Sequence, residues 1–173
     1  NYKINSKSRI MIHASASFES AIAMLSCAKM GIFQSVIFED LKKEAIKTRI
    51  KIFKPNLIIS RDNDENIKKN FKGIANQKKN KFSLLIFRKQ KTLLKYNFLN
   101  STDVLKHKIN SKTNLIKINS NRKFFTLFTS GSTGEPKGII HSTGGYLLYS
   151  KFTCKKYFGM NEKSIVLTAS DAG

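Results

Sequence analysis

Cysteine is scarce in this sequence: Cys27 and Cys154 are the only two in 173 residues. That excludes a disulfide-built scaffold and fits a reducing compartment, while a pairing between the two stays open at this level. Long apolar runs are missing as well. A membrane-spanning helix needs about 18 consecutive apolar residues, and the most apolar window, 10–28, is interrupted by His13, Glu19 and several serines. No signal peptide is visible, and the first residue is Asn1 rather than Met. Acidic side chains are few, 11 against 32 Lys and Arg, for a net charge of +21. Apolar residues, by contrast, make up 40% of the chain, too many for a disordered tail. The length suits one domain or a piece of a larger one.

A charge of this size raises the prospect of a nucleic-acid or anionic-membrane binder. Its distribution argues against that. Residues 1–60 carry a net +6, residues 61–123 a net +13 and residues 124–173 a net +2. Lysine outnumbers arginine 27 to 5, whereas nucleic-acid readers favour the bidentate, stacking guanidinium. Lys68–Lys69 and Lys78–Lys81 read as a solvated surface. No nucleic-acid and no membrane partner is expected, and a basic nucleic-acid-binding module is the competing reading from another functional class.

Apolar periods alternate along residues 8–60. Arg9–His13 is a short β-prone run. Ser17 is placed to cap a helix, with Glu19 in its first turn, and Phe18, Ile22 and Leu25 follow at helical spacing with Ala21 and Ala28 on the same face. This stripe is expected to face the core, and Gly31 to stop the helix. Ser35–Phe38 predicts a buried strand. Leu41–Phe53 predicts a second helix on Leu41, Ala45, Ile46, Ile50 and Phe53, ended by Pro55. Asn56–Ser60 predicts a third strand. Strand–helix–strand–helix–strand with short links is the pattern of a parallel sheet covered by helices.

Residues 61–123 form a lysine-rich segment. Ile67, Phe71 and Ile74 make one weak helical face, Phe82–Phe87 predicts a strand, and 88–122 reads as a surface excursion with little regular structure. Beyond it, Phe124–Thr129 and Gly138–His141 predict strands, Gly144–Phe158 a helix ended by Gly159, and Ser164–Ala169 a last strand. The chain stops at Gly173 directly after an apolar run, where a domain boundary would fall in a polar linker; the expectation is a cut through a domain.

The chemistry is concentrated in Thr129–Gly138, TSGSTGEPKG. Gly131 and Gly134 permit positive φ and close approach of backbone to a ligand. Successive N–H groups in such a turn form a concave anion site. Thr129, Ser130, Ser132 and Thr133 add neutral donors, and Lys137 adds a mobile positive charge, a set that suits a polyphosphate. The segment is not a Walker A loop, because Lys137 precedes Gly138 and strand-like residues follow instead of a helix. A loop joining two strands is predicted. On glycine and serine content alone, a plain Gly/Ser hairpin is an equal reading.

The full ten-residue order resembles the phosphate-binding signature of the AMP-forming acyl-adenylate superfamily. The flanking Ile139–Gly173, with HSTGGYLLY and the TASDAG end, is similar to the acetyl-CoA synthetase branch, as are Ser20–Phe38 and Ala45–Ile50. The resemblance covers roughly 8–60 and 124–173. It implies an α/β fold: part of the large N-terminal domain of an adenylate-forming enzyme, a parallel sheet with covering helices plus a phosphate-loop hairpin. It implies ATP, Mg2+ and coenzyme A as the groups used, and a short-chain carboxylate, acetate first and propionate or another short acid second, as substrate. Thr129, Ser130, Gly131, Ser132, Thr133, Gly134 and Lys137 would hold the β- and γ-phosphates, with Lys137 stabilising the departing pyrophosphate. Glu135 stands where many relatives of the superfamily carry Lys, Arg or another polar residue, and its carboxylate should point to solvent. The motifs for adenine, Mg2+ and ribose and the catalytic lysine of the small C-terminal domain would lie beyond Gly173. No coenzyme A contact is assigned, since Lys68 and Lys69 stand where an Arg/Gly-rich stretch is frequent. A non-catalytic remnant is the third reading. His13, His141 and Tyr146 and Tyr149 are expected to pack, His107 to be exposed, and Asp171 carries no assigned role. No His/Cys/Asp cluster has metal-ligand spacing. A cytoplasmic location is expected.

Overall fold

The computed structural model describes residues 4–61, 64–71, 73–74, 82–86, 98–100, 116–130 and 134–168. The short apolar runs become seven strands: β1 Arg9–His13, β2 Phe33–Ile37, β3 Leu57–Ser60, β4 Ser83–Ile86, β5 Phe98–Asn100, β6 Lys123–Thr129 and β7 Lys137–Ser142. They share one sheet in the order β5-β4-β3-β1-β2-β6-β7. Every neighbouring pair is parallel except β6 and β7. β1 is central, with Met11 opposite both Ser35 and Ile58. Both its faces are covered, which is why its four buried positions run without a polar alternation.

Among the described residues, four helices accompany the sheet: α1 Phe18–Lys29, α2 Lys43–Phe53, α3 Asp64–Phe71 and α4 Thr143–Lys156. On one side, Met11, Ile37, Ile58 and Leu84 of the strands share a core cluster with Ile46, Ile50 and Phe53 of α2 and Phe71 of α3. On the other, Ile10, Ile12, Val36 and Ile59 share a cluster with Ala23 and Cys27 of α1. The chain therefore turns to opposite sides after β1 and after β2, so the strand order reverses beside β1, the arrangement that gives open α/β sheets a crevice at the carboxyl ends of their strands.

Local signals act as the sequence implies. Ser17 caps α1 in a reciprocal arrangement with Ser20, each side chain accepting from the other's backbone N–H. At the other end, Ile32 N–H donates to Cys27 O and Gly31 N–H to Ala28 O, with Gly31 at φ +61°, the Schellman arrangement that only a residue tolerant of the left-handed region closes without strain. Lys54 takes the same region at the end of α2, just before Pro55.

Several expectations are corrected. The Phe18, Ile22 and Leu25 stripe does not face the sheet: Phe18 is 78% and Leu25 70% exposed. Ser20, Ala23 and Cys27 are buried there instead, because small side chains let the helix axis approach the strands closely. Tyr149 is exposed, not packed. Within the excursion read over 88–122, the described residues include a short strand, β5, which extends the ladder from the edge of β4. The strand read over 164–169 is not formed in its described part, 164–168. No described strand lies beside it, and Ile165 and Leu167 stand in solvent. An apolar run without a ladder partner has no backbone bonds to hold it extended.

Candidate functional site

β6 and β7 form an antiparallel hairpin at the edge of the sheet. Phe125 pairs with His141, Thr126 with Ile140, Phe128 with Gly138 and Thr129 with Lys137. The loop read from sequence is thus the connection 130–136, and it joins two strands as expected. The ladder sets Thr129 and Lys137 side by side at the loop's mouth. Thr129, Ser130, Gly134 and Lys137 are exposed there, and Glu135 is exposed too. Gly134 has φ +81° with nothing within 4 Å of a Cβ placed on it; its role is backbone conformation, not packing. Gly131, Ser132 and Thr133, the remaining members of the predicted phosphate cradle, lie outside the described residues, as do His107, Lys78–Lys81 and Asp171.

The hairpin is held in place by contacts that only glycine and small side chains allow. A Cβ on Gly138 would lie 3.0 Å from Thr126 Cγ2 and 3.4 Å from the Phe128 ring. Ser35 on β2 donates its hydroxyl to Thr126 O at 2.8 Å, a buried bond that ties the hairpin to the parallel sheet. Downstream, Ser142 caps α4 by accepting from Gly145 N–H. Thr143 N–H and Oγ1–H both donate to Arg122 O, and Gly144 N–H donates to Ser120 O at 2.8 Å. Arg122 in turn donates from its guanidinium to Ser6 O. The base of the hairpin, the start of α4 and the turn at residues 5–8 are therefore one hydrogen-bonded unit. Sequence reasoning missed this clamp; its one visible trace is the paired glycine of HSTGG.

His141 stacks on Phe125 at 4.7 Å, and Tyr146 meets Phe125 edge-on at 4.6 Å, so both pack toward the base of the hairpin and not beside the loop. His13 is fully buried at the carboxyl end of β1, with Nδ1 3.0 Å from Ser60 Oγ and its ring edge-on to Phe71. It sits where the strand order reverses but offers no surface to a ligand. Arg61 pairs with Glu19 at 3.4 Å across the same end of the sheet. Burial pushes the Cys27 thiol up to about 12, which removes it as a nucleophile. Cys27 and Cys154 are both free thiols. Among the described residues no group of three or more His, Cys, Asp or Glu could hold a metal ion, and no helix is long and apolar enough to cross a membrane.

Among the described residues, the two-stranded ladder brings the Thr129 and Ser130 hydroxyls, the left-handed Gly134 and the Lys137 ammonium to one end of the hairpin.

A family model described as "AMP-binding enzyme" matches residues 2–173. An acetyl-coenzyme A synthetase of Magnetococcus marinus is 29% identical over 175 residues, covering 95% of this chain and 27% of that protein. The acetyl-coenzyme A synthetase of Escherichia coli O6:H1 is 32% identical over 166 residues, 90% of this chain and 25% of that protein. Among solved structures, acetoacetyl-CoA synthetase from Streptomyces lividans superposes with a TM-score of 0.82 at 13% identity, over 99% of this chain and 27% of that one. The chain spans about a quarter of the length of the curated relatives it matches.

Proposed function

The chain belongs to the AMP-binding enzyme family, and from that premise we propose that it serves the ATP-dependent activation of a short-chain carboxylic acid, acetate in the first place, to its coenzyme A thioester. A carboxylate oxygen attacks the α-phosphorus of ATP, the bond to the β-phosphate breaks, and pyrophosphate leaves with that electron pair. The thiol of coenzyme A then attacks the carbonyl carbon of the acyl-adenylate, and AMP departs. The chain's own part is to hold the β- and γ-phosphates with Thr129, Ser130, Gly131, Ser132, Thr133 and Gly134, and to offset the charge that grows on the leaving pyrophosphate with Lys137. Mg2+ accompanies ATP in this reading. The described residues offer no carboxylate set for it, so no ligand is assigned to it here, and none to coenzyme A.

The observation that carries the proposal is the Thr129–Lys137 pair at the mouth of the 130–136 loop. It puts an ammonium across from a hydroxyl on two strands that cannot separate without breaking the ladder. The test is a chimera in which this chain replaces the matched segment of the Escherichia coli relative. Acetate-dependent exchange of pyrophosphate into ATP is expected, with propionate a weaker substrate. Lys137→Ala should lower the exchange about ten- to a hundredfold, equivalent to ~1.5–3 kcal/mol for a charge-assisted hydrogen bond. A folded chimera without exchange would remove the reaction, and an unchanged Lys137→Ala rate would remove that residue from it.

A further inference from the structure

One cation of α2 sits beside an apolar stripe. The helix buries Ile46, Ile50 and Phe53. Arg49 lies on the flank of that stripe, one turn after Ala45 and one turn before Phe53, and is half-buried. Its guanidinium donates to Ala45 O at 3.1 Å. Among the described residues no carboxylate lies within ion-pair distance of it, and burial pulls its pKa below the ordinary guanidinium value. A charge partly withdrawn from water needs compensation. The structure supplies a ring: the guanidinium carbon lies 5.5 Å from the centroid of Phe128, within the range of a cation–π contact. Lys47 on the same helix shows the contrast, since it is exposed and paired with Glu44 at 3.3 Å.

Phe128 stands next to Thr129, the last residue of β6. Its ring packs against the core cluster under α2. It also touches β7, where a Cβ on Gly138 would come within 3.4 Å of it. The pairs that join β6 to β2 are Gln34 with Phe125 and Ser35 with Thr126, and the Ser35 hydroxyl bond is made to Thr126 as well. All of these lie on the base side of Phe128. The ladder pair directly beyond Phe128 and Gly138 is Thr129 with Lys137. Arg49 thus braces the hairpin one rung short of the loop's mouth, beyond the described pairs with β2.

We propose that Arg49 is a positioning residue for the 130–136 loop: by holding the Phe128 ring against α2 it fixes the Thr129–Lys137 rung on which a polyphosphate is seated. Arg49 acts through the ring and makes no contact with the phosphates. A planar guanidinium suits this task better than lysine, whose compact ammonium is strongly hydrated and does not stack. The inference rests on the phosphate reading given above for the identity of the ligand. The hold of α2 on the hairpin does not depend on that identity.

The test uses the 173-residue chain. Backbone amide exchange is read without anion, and the binding of inorganic pyrophosphate is read by calorimetry. Arg49→Gln should speed exchange over 127–129 and 137–139 about three- to tenfold, leave β1 and β3 unchanged, and weaken pyrophosphate binding by a similar factor of about three to ten. Phe128→Leu should do the same, and adding Arg49→Gln to it should change either readout by less than about twofold. Arg49→Lys, a milder change that keeps a cation near the ring, should fall between Arg49→Gln and the parent. Lys47→Gln removes the same charge from the same helix and should alter neither readout. Exchange at the hairpin end that Arg49→Gln and Arg49→Lys leave unchanged, or that rises equally over β1 and β3, overturns the proposal. So does an Arg49→Gln effect of undiminished size in the Phe128→Leu background, since the ring would then not be its route. A parent chain that binds no pyrophosphate would count against the phosphate reading, while the exchange data would still decide whether Arg49 braces the hairpin.

Discussion

Replacing Gly144 with alanine sets two known effects against each other. In an exposed helix, Gly→Ala stabilises by roughly 0.8–1 kcal/mol through backbone entropy. Here the new Cβ would lie 2.7 Å from Ser120 Cβ, 3.2 Å from Ser120 O and 3.3 Å from its Cα. The first of these atoms is fixed directly to the backbone and the other two belong to it, so no side-chain rotation relieves the contact. α4 must move away from the 119–122 turn, stretching the Gly144–Ser120 and Thr143–Arg122 bonds of 2.8 and 2.9 Å. Overpacking costs about 1–3 kcal/mol and each weakened hydrogen bond about 0.5–1.5 kcal/mol. The clash therefore outweighs the propensity gain, and the net loss is ~1–5 kcal/mol. In urea, with a slope of about 2 kcal/mol/M, the unfolding midpoint should fall by ~0.5–2.5 M at unchanged slope. A midpoint that holds or rises would show that the turn yields freely and that the clamp does not restrain the hairpin's base.

Lys42 stands at the N-cap of α2 without a side-chain bond to the helix; Lys42→Ser should stabilise by ~1 kcal/mol in the same urea assay. Lys54 closes that helix at φ 53°, and Lys54→Gly should add up to ~1 kcal/mol by relieving the left-handed strain. Cys27 holds its proton to about pH 12 against an ordinary 9.0. Its raised value means full stability below about pH 9 and a loss of up to ~1.4 kcal/mol per pH unit above it, as the unfolded thiol ionises first. Cys27→Ala should remove that part of the alkaline slope, and a thiol reagent should label only Cys154 until denaturant is added.

Most of the sheet was legible because parallel strands buried on both faces leave uninterrupted apolar runs such as IMIH and LIIS, and because Ser17, Gly31 and Pro55 are local punctuation whose effect reaches only a turn. The face of α1 was not legible. Its sequence holds two stripes at helical spacing, a large one through Phe18, Ile22 and Leu25 and a small one through Ser20, Ala23 and Cys27. Periodicity cannot choose between them, and close packing against the strands selects the small one. The site divides in the same way. The order of TSGSTGEPKG was enough to predict a strand–loop–strand element with Lys137 beside it. The Arg122–Ser6 bond joins residues 116 apart and the Ser35–Thr126 bond joins residues 91 apart, and no local pattern announces such contacts.

That last separation bears on the order of folding. Within the hairpin, Thr129 and Lys137 meet across a short loop, and hairpins of this kind form in microseconds. Attaching it to β2 closes a loop of about ninety residues, an entropic expense of ~4 kcal/mol plus a constant on ideal-chain arithmetic, and non-local pairing of this sort slows folding. The hairpin bearing the 130–136 loop is thus expected to assemble early as an independent unit and to dock late. Its place at the edge of the sheet would then be governed by how well β1, β2 and β3 have consolidated before it arrives, so core substitutions such as Ile58→Val, far from the loop, should slow the docking of the hairpin.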